Sequence, residues 1–175
     1  QAEKEIEAQF DILEQAGIKP CYVDSHHHLH MHPGLFGLVC RIAAARGVSW
    51  VRVPSEPARV VYGLSAGGRG LMSFIEHAVF ATLISSNRKK AEDHGLRCAD
   101  CVYGLSHTGK INEDYLLALV DSMAASGGSF INEIFFHPDK ATLSGQSELK
   151  ALRSAAVASR LDSFAIKGIG YEVIP

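Results

Sequence analysis

A chain of 175 residues, 47% hydrophobic and 21% charged, is long enough to bury one good core and has the balance of an ordinary globular protein. Its net charge of -2, with no basic cluster, leaves no electrostatic footprint for nucleic acid, and no apolar run reaches bilayer-spanning length. The composition therefore predicts a single soluble domain, placed in the cytoplasm because the charged opening "QAEKEIEAQF" is no signal peptide.

In chain order, Ile6, Phe10, Ile12, Leu13 and Ile18 fall near helical spacing and predict a helix over about residues 2 to 16, ended by Gly17 before Pro20. "CYVDSH" reads as a short strand. A helix through "LFGLVCRIAAARG" then stops at Gly47, and "VSWVRVP" is a second strand closed by Pro54. Strand, helix, strand with short connections predicts a parallel pair with a right-handed crossover. The stretch from 55 to 72, with "EPARVVYGLSAGGRG", reads as a long loop, and "GGRG" lacks the Lys-Ser/Thr of a phosphate-binding P-loop.

A long helix from Leu71 to His94 follows, then a strand from Leu96 to Tyr103, the loop "GLSHTGKI" and a helix from Asn112 to Ala125. "SFINEIFF" is expected as a strand, "SELKALRSAAVASRL" as one last helix and "GIGYEVI" as a closing strand. The alternation predicts an α/β protein with a parallel sheet or partial (β/α) barrel, whose sites form where strands run out at their C-terminal ends. Cys21, Cys40, Cys98 and Cys101 are too few and scattered for a disulfide framework, so reduced thiols are expected. Cys98 and Cys101 make a C-x-x-C, but on a predicted strand they read as two small buried residues.

The polar clusters fall at those strand ends. "VDSHHHLHMHP" places five of the nine histidines together after one aspartate. Extended alternation would put Asp24, His26, His28 and His30 on one face and Ser25, His27 and Leu29 on the other. Carboxylate and imidazole are the usual ligands of zinc and other catalytic divalent metals, and the carboxylate can alternatively orient a metal-bound histidine. His27 and His32 read as bystanders. In "NEIFFHPD", His137 emerges at the end of a buried strand, where it can serve as general acid or base. Glu133 within that strand is either a partnered buried carboxylate or an edge residue. His107 reads as a surface or a pocket histidine, and Arg52 as an orienter of an anionic group or a partner of Glu56. His77 and His94 lie on the long helix and take no role.

"KPCYVDSHHHLHMHP", a following helix, "VRVPSEP" and the later "NEIFFHP" resemble the YdjC-like carbohydrate deacetylases, the family that includes the chitooligosaccharide deacetylase ChbG. "VRVPSEP", "YGLSHTGKI" and "EIFFHP" look closest to its hopanoid-biosynthesis branch, HpnK. The resemblance implies a distorted (β/α) barrel and metal-dependent hydrolysis of an N-acetyl group from an amino sugar, free or glycolipid-linked, with Mg or Zn as the divalent metal. It implies His26 as a metal ligand, Asp24 as its orienter and His137 as the acid that protonates the leaving amine. His28 and His30 would line the same pocket, with Arg52, His107 and Glu133 toward the substrate. A metal-polarised carbonyl would be attacked by metal-bound water.

The family's opening Asp-Asp-Phe-Gly strand and its later Gly-x-His are absent from this sequence. The expectation is therefore a C-terminal portion of the family fold, with one protein ligand in place of the three a catalytic site usually needs and with metal absent or weakly held. Sheet edges exposed by missing strands would favour association with a second copy, a homodimer. Two other readings stand beside the deacetylase: another metal-dependent amidohydrolase or phosphoesterase, using His26 and His28 together as metal ligands helped by His107 and His137, and a catalytically incomplete assembly module.

Overall fold

The computed structural model describes residues 1–57, 60 and 71–173. Among the described residues the chain divides into two compact units, the first holding 1–54, 71–99 and 170–173, the second 55–57, 60 and 100–169. The "GGRG" motif lies outside the described residues.

The first unit runs α1 (Ala2–Gln15), β1 (Tyr22–Val23), a 3₁₀ turn (His26–Met31), α2 (Phe36–Ala45), β2 (Trp50–Val51) and α3 (Leu71–Asp93). Phe36, Val39, Cys40 and Ala43 are buried on α2, the i, i+3, i+4, i+7 stripe of a core-facing helix. Phe36, Cys40 and Ala43 meet Phe10 of α1, Met31 of the turn, Val51, Val53 and Ala91 in one cluster. β1 and β2 pair in parallel, Tyr22 opposite Trp50 and Val23 opposite Val51, as their short helical crossover predicted. Arg97 extends that pair by a parallel bridge to Trp50, its carbonyl accepting from Val51 N–H at 2.9 Å.

The second unit holds β3 (Cys101–Tyr103), α4 (Glu113–Ala125), β4 (Asn132–Ile134), α5 (Leu143–Leu152) and α6 (Ala155–Ser163). β3 and β4 are parallel, with Tyr103 opposite Ile134. Tyr115, Leu116 and Leu119 of α4 form the core with Tyr103, Ile111, Ala151 of α5 and Val157 of α6. Each helix starts on a side-chain oxygen that takes an otherwise orphaned amide: Asn112 from Tyr115, Thr142 from Gly145, Ser154 from Val157.

Three expected elements come out differently. The single last helix is two, because Ser154 caps a new one after Arg153. The strand from Leu96 to Tyr103 is split, Arg97 bridging in the first unit and Cys101–Tyr103 forming β3 in the second, so Cys98 and Cys101 belong to different units. "GIGYEVI" holds a 3₁₀ turn, Tyr171–Val173, rather than a strand. Tyr171 stacks on Tyr22 at 4.1 Å and tilts against Trp50 at 5.4 Å, a use of its ring that strand pairing does not require. All four cysteines are free, and burial pushes the Cys40 thiol up to about 12 and the Cys98 thiol to about 11, away from thiolate chemistry. Among the described residues no helix is long and apolar enough to cross a membrane.

Candidate functional site

The histidine stretch is not extended, so the alternating face expected of Asp24, His26, His28 and His30 does not form. From His26 to Met31 the chain coils into a 3₁₀ turn, interrupted by His27 (φ 51°) and His28 (φ 54°) in the left-handed region. Two consecutive non-glycine residues there cost on the order of 1–3 kcal/mol each and persist only where the surroundings over-determine them.

Those surroundings are visible. His30 is 4% exposed and bonded on both ring nitrogens. Its Nε2 lies 2.7 Å from the Arg52 carbonyl, which only accepts, so Nε2 carries the proton. Nδ1 is then the acceptor, and Ser25 Oγ donates to it at 2.8 Å while accepting the His30 backbone N–H at 2.8 Å. This is a neutral imidazole, and burial holds its pKa below the ordinary histidine value. From beneath, the buried Asn87 on α3 donates to the Met31 carbonyl at 3.0 Å. His30 thus pins the turn to the end of β2 with both ring nitrogens occupied.

Asp24 follows β1 and Arg52 follows β2, so both stand at C-terminal strand ends, where α/β sites are expected. Arg52 donates through Nη1 to Asp24 Oδ2, and its guanidinium lies 5.5 Å from the Tyr22 ring centre. Asp24 Oδ1 sits 3.4 Å from His28 Nδ1 and 3.7 Å from His30 Nδ1, the second too far for a hydrogen bond. Burial raises the Asp24 carboxyl, but His28, Arg52, the Ser25 amide and His30 together outweigh it and hold it below the usual carboxylate range. His26 is exposed, its ring tilted against His27 with centres 4.0 Å apart.

In the second unit His107 and His137 also follow strand ends. His107 is half-buried, accepts or donates at Nδ1 with Ser106 Oγ at 2.9 Å and stacks on Tyr115 at 4.3 Å. His137 is exposed, edge-on to Phe135 at 5.8 Å. Glu133 lies half-buried in β4 opposite Val102. Two carboxylates that the sequence did not single out for the site organise these loops. Glu56 accepts from Gly104 N–H at 2.7 Å and Ser106 N–H at 3.0 Å, and Glu148 of α5 accepts from Gly109 and His137. Their partners are backbone amides, which carry no sequence label.

Tyr115 is 8% exposed and its hydroxyl has no hydrogen-bond partner among the described residues. Burial, with the Glu56 charge adding, pushes its pKa up. Tyr115→Phe removes a group that gains nothing, so melting should be unchanged or rise by less than about 1 kcal/mol equivalent. A loss of more than about 1 kcal/mol would show that the hydroxyl does have a partner.

A metal held by three protein ligands needs three donors converging at about 2.0–2.2 Å. Among the described residues no group of three His, Cys, Asp or Glu side chains is so arranged. Asp24 is engaged by Arg52, and His30 is spent on Ser25 and the Arg52 carbonyl. The described donors therefore do not fit a three-ligand metal site.

A family model, YdjC-like protein, matches residues 1–163. A carbohydrate deacetylase of Homo sapiens is 31% identical over 146 residues, 79% of this chain and 43% of that protein. One of Mus musculus is 33% identical over 114 residues, 63% of this chain and 34% of that protein. A chitooligosaccharide deacetylase of Enterobacter sp. (strain 638) is 43% identical over 47 residues, 26% of this chain and 19% of that protein. The chain thus spans less than half the length of these curated relatives. A crystal structure described as that of a cellobiose-phosphate cleavage protein of Enterococcus faecalis V583 superposes with a TM-score of 0.64 at 19% identity, over 97% of this chain and 59% of that one. That likeness supports a mixed α/β fold with parallel strands.

Proposed function

The chain belongs to the YdjC-like protein family, and from that premise we propose that it contributes to a carbohydrate N-deacetylase, a hydrolase that removes an N-acetyl group from an amino sugar. The observation that carries the proposal is the over-determined histidine turn at the end of β1, locked to β2 through Asp24, Arg52 and His30. Strain held at a strand mouth by buried polar groups is the signature of a site rather than of a connecting loop.

In this proposal residues 1–175 are one part of a longer deacetylase whose overall fold is a distorted (β/α) barrel. His26, exposed at the tip of the turn, supplies one ligand to a divalent ion, Mg or Zn, whose remaining ligands lie outside the described residues. Asp24 fixes the turn that presents His26. Within the first unit His28 and Arg52, and within the second His107 and Glu133, are proposed as sugar-binding residues, with His137 as the acid that protonates the leaving amine. The "VRVPSEP" and "YGLSHTGKI" motifs favour the hopanoid branch, hence a glycolipid-linked glucosamine, with a chitooligosaccharide as the alternative substrate.

The test is acetate release from N-acetylated chitooligosaccharides and an N-acetylglucosaminyl lipid, with Mg or Zn added. Because His26 is exposed, His26→Ala should leave melting unchanged and lower acetate release at least about tenfold. Full activity in that variant removes the ligand assignment, and no acetate from the unmutated longer protein that carries residues 1–175 removes the deacetylase reading.

A further inference from the structure

Glu148 is 1% exposed, a carboxylate taken almost wholly out of water on a helix that has no need of it for its own formation. Such a group persists only if its oxygens are satisfied. Each oxygen accepts one backbone amide: Oε1 from Gly109 at 3.0 Å and Oε2 from His137 at 2.5 Å. Gly109 lies in the loop that leaves β3, two residues after His107, and His137 lies three residues beyond the end of β4. The two strands are hydrogen-bonded neighbours, so one buried side chain ties together the loops leaving adjacent strands, each of which carries a histidine.

Glu56 holds the front of the first loop through Gly104 and Ser106, and Glu148 holds its back through Gly109. At His137, by contrast, the ring is exposed and meets the edge of Phe135, so the backbone anchor is what fixes where the imidazole stands. A hydrophobic residue of similar size would fill the Glu148 site at less desolvation cost, but would release both loops.

We infer that Glu148 is a positioning residue for His137, setting its backbone relative to the His107 loop through paired charge-assisted hydrogen bonds. What His137 does once positioned rests on the deacetylase reading; the anchoring rests on the geometry alone. Glu148→Gln keeps the size of the side chain but can satisfy only one amide, since its NH₂ then faces the other N–H donor to donor.

Two arms test it on the whole protein. In the first, amide hydrogen exchange is followed at Gly109 and His137. Both amides should be protected in the unmutated protein although they lie in loops, and at least one should exchange tenfold faster or more in Glu148→Gln. Fast exchange at either position before mutation, or unaltered exchange after it, overturns the anchor, and the first of these holds even if the variant does not fold. In the second arm, Glu148→Gln should lower kcat at least tenfold with KM within twofold, and should slow His137→Ala no further, because the two changes act on one group. Additive losses overturn the link to His137. Full turnover by His137→Ala itself would count against the deacetylase reading and leaves the exchange arm to decide on Glu148.

Discussion

Replacing Asp24 with alanine is expected to destabilise the protein by about 2–3 kcal/mol, somewhat below the range for breaking a fully buried ion pair, because water reaches part of the carboxylate. Arg52 and His28, with side chains 15% and 18% exposed, lose their shared anion, and the left-handed turn loses the group that holds its entry. In a chain of this size that is a fall in Tm of roughly 4–12 °C. The effect has a defined pH dependence. The folded carboxyl sits below its ordinary value of 3.8, so its contribution is complete above that value and is lost as pH falls through the lower folded pKa. The gap in stability between the unmutated protein and Asp24→Ala should be constant at neutral pH and close in acid below that range. Asp24→Asn, which keeps the volume, should reproduce most of the loss. Melting at neutral pH that matches the unmutated protein would mean that the Asp24, Arg52 and His28 group holds nothing. Acetate release should fall with the turn, since Asp24 is proposed to present His26.

Most of the helices were legible because their signals are local. The helical spacing of Ile6, Phe10 and Leu13 marks α1, and Gly47 marks where α2 stops. The parallel pairing of β1 with β2 followed from the strand, helix, strand order with its short connections. The histidine turn was not legible, because its shape is set by groups far along the chain: the Arg52 carbonyl that His30 grips and the Asn87 amide under Met31. Polar alternation in a short segment looks like a strand when those partners are unknown. Tyr171 failed for the same reason, its segment reading as a strand until Tyr22 and Trp50 are seen to take the ring. Glu56 and Glu148 show the limit most plainly. Glu56 read only as a candidate partner of Arg52 and Glu148 carried no signal, yet both are committed to backbone amides of loops that the strand pattern located but could not shape. Spacing along the chain says nothing of burial, so only the tertiary partners distinguish His30, buried and bonded on both nitrogens, from His26, which is exposed.

The largest backbone effect is expected at Gly104, where β3 gives way to the His107 loop. Its φ of +116° is a conformation that side-chain-bearing residues rarely adopt, and an added Cβ would stand 2.6 Å from the Phe135 carbonyl oxygen and 3.3 Å from its ring. That carbonyl cannot simply retreat, because Phe135 N–H is bonded to Tyr103 O at 3.1 Å, and Gly104 cannot rotate away without losing Glu56 from its own N–H at 2.7 Å. Gly104→Ala must therefore accept the strained φ and also break either the end of the β3–β4 pairing or the Glu56 anchor. Strain and displacement together should cost about 3–4 kcal/mol, a drop in Tm of roughly 6–16 °C. Gly109→Ala is the matched control. It shares a positive φ, +71°, but its nearest foreign atom would be Ser144 Cβ at 3.9 Å, so it should cost only about 1 kcal/mol. The difference between the two variants isolates the close approach of the strands. If Gly104→Ala melts no lower than Gly109→Ala, the contact with Phe135 is not a constraint. If it melts lower as expected, the loops that carry His107 and His137 are held by the same tight crossing that leaves room for glycine alone.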